Sequence, residues 1–128
     1  MTPLMQAALE GDRGHVNALI ESGGAVGESD ANGNQPLWFA CVADDADTVR
    51  LILSAGADID HTNETGATAL MYAASAGKSK ALAALLAAGA DLGIELGGLT
   101  ALDMAATMEC LSLLRAADRA KRKASAHG

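Results

Sequence analysis

Aromatic side chains are almost missing. Trp38, Phe39 and Tyr72 are the only three in 128 residues, so the 50% hydrophobic content rests mainly on alanine and leucine. Such a chain is suited to thin, close-packed layers rather than one thick core built around large rings. Cysteine is also scarce. Cys41 and Cys110 are far apart and read as small buried hydrophobes in a reducing cytoplasm, not as a disulfide. No apolar run is long enough to span a bilayer. The start, Met1-Thr2-Pro3-Leu4-Met5-Gln6, lacks the basic opening and long apolar stretch of a signal peptide, so a cytoplasmic location and no membrane contact are expected.

The motifs of catalysis are missing too. No Ser-His-Asp arrangement, Gly-rich phosphate loop or paired-Cys motif occurs, and the carboxylates are spread along the chain, so the chain reads as non-enzymatic and without a cofactor. Asp44, Asp45 and Asp47 lie close together, but no His or Cys stands near them to complete a metal site. A helix N-cap at Asp45 or Asp47 is the simpler reading. His15, His61 and His127 read as solvated residues, His61 at a turn.

Basic residues are scarce until the end. Residues 1–114 hold 15 acids and 4 bases, a net −11, whereas residues 115–128 hold 5 bases and one acid, a net +4. The acidic body repels nucleic acid, whose affinity depends on phosphate neutralisation, and attracts a basic protein. Solubility alone is the plainer explanation of such a surface. The basic end extends the last helix, where cations complement the dipole, and then frays; nucleic-acid binding by Lys121-Arg122-Lys123 is the minor reading.

What the chain has in quantity is repetition. Thr2-Pro3-Leu4, Gln35-Pro36-Leu37, Thr68-Ala69-Leu70 and Thr100-Ala101-Leu102 are spaced 33, 33 and 32 residues apart. Each is followed by a small pair: Ala7-Ala8, Ala40-Cys41, Ala73-Ala74 and Ala105-Ala106. Second blocks end in Leu19-Ile20, Ile52-Leu53, Leu85-Leu86 and Leu113-Leu114, and the first three close on Gly23, Gly56 and Gly89. A fixed period of this length means stacked supersecondary units. Pro at the first helical turn has no N–H to leave unpaired. The small pairs allow close helix approach, and Leu51, Ile52, Leu82, Leu85 and Leu86 recur at helical spacing as core. Gly56 and Gly89 suit left-handed C-caps, and Asp30-Ala31-Asn32-Gly33 and Asn63-Glu64-Thr65-Gly66 are turn tetrads.

The pattern resembles the ankyrin repeat, best over Gly66-Ala67-Thr68-Ala69-Leu70-Met71-Tyr72-Ala73-Ala74-Ser75-Ala76-Gly77 and on to Gly89-Ala90-Asp91. The resemblance implies an all-α solenoid of stacked helix-turn-helix pairs joined by β-turns or hairpins. It covers residues 1–118 as one domain, with repeats at about 1–34, 35–67, 68–99 and 100–118 and a basic tail at 119–128. The family's His after Pro-Leu is replaced by Met5, Trp38, Met71 and Asp103, which removes its hydrogen bonds and puts the rigidity of the turns in doubt. Asp44 stands where Gly11 and Gly77 stand elsewhere, and can take the left-handed conformation. The link before Thr100 is one residue short and apolar, and repeat four lacks about four residues between its helices.

In function, the resemblance implies a protein-protein interaction module that binds on its concave face, formed by turn tips and the first helices. On this chain that surface comprises Gln6, Glu10, Asn32, Asn34, Phe39, Val42, Glu64, Thr65, Tyr72, Ser75, Leu96 and Met104. Trp38, in the position of the family's half-buried His, reads as core. Phe39 and Tyr72, 33 residues apart, read as an apolar strip between Glu10 and Glu64, with their positions roughly 10 Å apart. A chain holding little besides such an array is expected to act, as a monomer, by occupying a partner. A stand-alone binder of a basic protein, such as an immunity protein that neutralises a toxin, fits the charge; a scaffold or adaptor is the rival.

Overall fold

The computed structural model describes residues 1–127, with side chains to Ala124. Eight helices follow in chain order: α1 (Pro3–Glu10), α2 (Arg13–Glu21), α3 (Pro36–Val42), α4 (Ala46–Ser54), α5 (Ala69–Ala76), α6 (Ser79–Ala87), α7 (Ala101–Met104) and α8 (Met108–His127). In repeats one and three the register residue caps the first helix. The hydroxyls of Thr2 and Thr68 accept from the N–H of Met5 and Met71, each at 3.2 Å. Gln35 makes no such cap; its amide donates to the Gly27 carbonyl instead.

At three of the four positions where the family's His is replaced, the new side chain still bonds the helix start. The sulfurs of Met5 and Met71 accept from the N–H of Thr2 and Thr68 at 3.5 Å, and the Asp103 carboxylate accepts from both the N–H and the hydroxyl of Thr100. In the turns, Asp30 accepts from the N–H of Asn32 and Asn34, while Asn63 accepts from those of Thr65 and Ala67. Asx hydrogen bonds thus tie both turn tetrads.

α1, α3, α5 and α7 lie side by side in one layer, and α2, α4, α6 and α8 in a second. The all-α solenoid expected from the period is what the chain forms. The only β feature among the described residues is an isolated antiparallel bridge, Leu96–Leu99. Ala7-Ala8, Ala40-Cys41 and Ala73-Ala74 are buried between first helices, and Val16, Val49, Ile52, Leu82, Leu85 and Leu114 fill the space between the layers. Cys41 and Cys110 are both free and buried. Burial, with Asp44 adding to it, pushes the Cys41 thiol up to about 12, so it stays protonated at neutral pH. No helix among the described residues is long and apolar enough to cross a membrane.

Hydrogen bonds between successive repeats lock the stack. The N–H of Glu64 donates to the Asn32 carbonyl at 3.1 Å, and the Asn63 amide donates to Asn34 Oδ1 at 2.9 Å. Gly33 permits this approach: its φ is +79°, and a Cβ there would meet the Glu64 nitrogen at 2.8 Å. Asp44 adopts the left-handed conformation at φ +53° and reaches across the repeat boundary. Its carboxylate accepts from the Ala81 N–H at 2.9 Å, capping α6, whose own N-cap residue Lys78 makes no side-chain bond.

Asp45 is the N-cap of α4, accepting from the N–H of Asp47 and the hydroxyl of buried Thr48. Arg13 of repeat one joins it at 3.1 Å and Asp47 at 2.8 Å, and Arg50 pairs with Asp47. Burial pushes the Asp45 pKa up, but hydrogen bonds from Arg13 and Thr48, with the Arg13 charge, outweigh it and hold the carboxyl below its ordinary value.

Repeat four departs from the others. Its one-residue-shorter link folds as Leu96-Gly97-Gly98-Leu99, with both glycines at positive φ (60° and 82°), the geometry of a two-residue hairpin turn. The missing residues come out of α7, which is one turn long. Ala105 and Ala106 therefore lie outside the helix, and the Ala106 N–H donates to the Ala74 carbonyl instead. α8 then runs unbroken past position 118; its last buried side chain is Leu114, and residues 119–124 are exposed. Expectations for the side chains after Ala124, that of His127 among them, fall outside what is described.

Three outcomes follow. Gly33→Ala should lower the unfolding free energy by about 1–3 kcal/mol in urea titration, and Gly23→Ala, with open space around its Cβ position, by about 1 kcal/mol; equal losses would mean the tips are not held together at Gly33. Because the folded pKa of Asp45 is depressed, its stabilisation is present above the unfolded value of about 3.9 and is lost as pH falls through the lower folded value. Urea unfolding at neutral and acid pH should show a shallower acid loss in Arg13→Ala than in the wild type. Amide exchange in α8 should be slow over residues 110–118 and fast over 119–124, where no packing covers the helix.

Candidate partner-binding surface

The first-helix layer and the turn tips carry most of the residues expected to bind. Gln6 and Glu10 are exposed on α1, the Gln6 amide donating to the Glu10 carboxylate at 2.8 Å. Glu64 and Thr65 are exposed at the second turn, and the Thr65 hydroxyl is occupied by Asn63. Asn32 is exposed, but its backbone carbonyl ties the turns together; Asn34 is half-buried, with its side-chain oxygen used by Asn63. Ser75 is exposed and donates to the Tyr72 carbonyl. Val42, Leu96 and Met104 are half-buried, Leu96 lying against Gly66.

The aromatic residues differ from expectation, and two assignments exchange places. Phe39 is buried at 8% exposure and is not a surface anchor. Trp38, expected in the core, is half-buried and stacks on Tyr72 of the next repeat, ring centroids 4.7 Å apart and planes tilted by 34°. Size explains the exchange. The corresponding positions in repeats one and three hold Met5 and Met71, buried at 0% and 2%. An indole is bulkier and stiffer than the methionine side chain those sites enclose, so it turns to the repeat boundary, and the smaller phenyl ring packs inward. The apolar strip is thus Trp38–Tyr72, not Phe39–Tyr72. Burial, with Cys41 nearby, raises the Tyr72 phenol above its ordinary value, so the ring is neutral.

Trp38 also lines a crevice with Asn34, Gln35, Leu37, Asp58, Ile59, His61 and Asn63. His61 is not the solvated turn residue expected. It is half-buried, and its Nε2 lies 2.8 Å from the Gly33 carbonyl, which can only accept, so Nε2 carries the proton. One signal for Trp38 was available in the sequence: it is the only large ring among the four residues that follow the register leucines. Nothing marked Asp58 or the reach of His61, since both depend on how two turns sit against each other.

Apolar exposure continues into repeat four at Leu99 (50%) and Met108 (72%). Exposed acids on the first-helix and turn side are Glu10, Glu64, Glu95 and Asp103. Among the described residues, no group of three or more His, Cys, Asp and Glu side chains is placed to hold a metal ion.

Comparison with known proteins agrees with the geometry. No curated protein matches the chain. The family model described as Ankyrin repeats (3 copies) matches residues 1–63 and 46–121. Ankyrin repeats are protein-protein interaction modules. With nearly its whole length matched and its helix pairs stacked in two layers, this chain belongs to the ankyrin-repeat family.

Proposed function

We propose that the array is a stoichiometric binder of a basic protein and that it works by blocking that partner, as an immunity protein neutralising a toxin does. The observation that carries this reading is the charge left over on the repeat body. Arg13 and Arg50, half of the four bases before residue 115, are consumed by Asp45 and Asp47, while Glu10, Glu64, Glu95 and Asp103 stay exposed. Uncompensated carboxylates of one sign steer and orient a cationic partner. In this reading the chain is a cytoplasmic monomer that needs no cofactor and catalyses nothing.

A scaffold or adaptor is the second reading, favoured by one observation. Arg115, Arg119 and Lys123 are exposed and spaced four apart along a face of α8 turned away from Cys110 and Leu114. Two surfaces of opposite charge could hold two partners.

The test is capture from the native cell on the immobilised chain, followed by kinetics. The main retained protein should be basic, should be released by about 0.3–0.5 M salt, and should lose its activity at a one-to-one ratio. Neutralising Glu10 and Glu64 to Gln should slow association and weaken its salt dependence. A retained protein that is acidic, or one whose binding ignores salt, would overturn the reading. Simultaneous capture of a basic and an acidic protein would favour the adaptor.

A further inference from the structure

The two ends of the stack are finished differently. At the N-terminal end, Gln6 and His15 are exposed, while the equivalent Phe39, Thr48 and Ala81 are buried against the repeat before them. A polar outer face of this kind is what a terminal repeat needs. The C-terminal end lacks one. The register leucine is buried in repeats one to three (Leu4, Leu37 and Leu70), yet Leu102 is only half-buried. The second small residue of each pair is buried at Ala8, Cys41 and Ala74, yet Ala106 is exposed. At the position where Asn34 bonds Asn63 of the following repeat, repeat four carries the exposed Leu99. On α8, Met108, Leu111, Arg115, Asp118 and Arg122 recur at spacings of 3, 4, 3 and 4 and share one face. Met108 on that face is exposed, and Leu111 is half-buried where the equivalent Leu82 is buried.

This apolar end also carries one free charge of each sign. Asp103 occupies the position from which Trp38 reaches Tyr72 of the next repeat, and it is exposed. One of its oxygens accepts from Thr100, and the other has no partner among the described residues. Arg115 pairs with no acid among the described residues, whereas Arg122 is already held by Asp118 at 3.0 Å. An apolar face with an acid on α7 and a base on α8 is complementary to itself. Turned over about a two-fold axis along the helices, α7 of one copy lies on α8 of the other, and each Asp103 meets the other copy's Arg115. Docking on the N-terminal end instead would bury Gln6 and His15 against leucines. We propose that the C-terminal end of the stack is a docking surface for the same end of a second copy of this chain. The contact is one helix pair wide, so the pairing is weak and concentration-dependent and the dilute form is the monomer. The blocking reading needs one copy per partner and does not depend on it.

Sedimentation velocity of the full chain from about 5 to 500 µM reads the pairing. The wild type should pass from monomer to dimer and go no further. Arg115→Asp and Asp103→Arg each set like charges across the axis and should weaken dimerisation about ten-fold or more. An equimolar mixture of these two variants should restore it, because both pairs are then opposite in sign. Met108→Glu alters an exposed side chain in the first turn of α8 and should weaken dimerisation too. It carries the test with Arg115→Asp if circular dichroism shows that Asp103→Arg, which loses the Thr100 bonds, does not fold. A wild type that stays monomeric at the highest concentration overturns the proposal. So does growth beyond a dimer, the mark of open head-to-tail stacking. A mixture of folded variants that pairs no better than its components overturns it as well, as do Arg115→Asp and Met108→Glu dimers as tight as the wild type.

Discussion

Every helix pair in this chain leaves an apolar face that only the next pair can cover, and the contact between adjacent repeats is therefore what the structure depends on. The small pairs on the first helices let neighbouring backbones come close enough for side chains and turns to bond across the boundary. Asp44 caps α6 of the following repeat, Asn63 reaches Asn34, His61 reaches the Gly33 carbonyl, and Arg13 reaches Asp45. None of these groups finds its partner within its own repeat. Stability and surface shape are both properties of the boundary.

The boundary also makes the surface. Trp38 and Tyr72 belong to different repeats and meet only because α3 and α5 are stacked. The same holds for the crevice, whose lining runs from Asn34 in the first turn, through α3 and the loop at residues 58–61, to Ala69 of α5. A repeat protein can vary the residues that meet at a boundary while keeping those that make it. Here repeat two carries tryptophan where repeats one and three carry buried methionines; its ring lies half-buried against Tyr72, while the neighbouring Phe39 ring is buried. The acidic body and the basic face of α8 arise differently, from charges on exposed positions that packing leaves open.

Much of the fold was legible in the sequence because its determinants are local. A Thr, a Pro at the first turn, a small pair, leucines at helical spacing and a glycine after the last turn each act within a few residues, and their recurrence every 33 residues sets the layers. The left-handed Asp44, the cap at Asp45, the buried cysteines and the shortened last repeat were all available by the same reasoning. So was the sign of the charge on each part of the chain.

What only the tertiary structure decided is which of the large side chains are buried. Phe39 and Trp38 are adjacent, both large and apolar, and no periodicity separates a ring that packs inward from one that turns outward. Packing against neighbouring helices is what separates them: Phe39 is buried and Trp38 half-buried. The turns were likewise ambiguous, since losing the family's His says nothing of Asp30 and Asn63 until their oxygens are seen to accept from the turn amides. In repeat four the deletion could be counted but not located. Its place in α7 follows from α8 needing its own full turns to bury Cys110 and Leu114 against α6. Sequence alone thus determined the layered helix pairs and the charge, because those follow from spacing along the chain. Stacking determined the orientation of the aromatics, the bonds across boundaries and the crevice beside Asp58, because each needs groups brought together from two repeats.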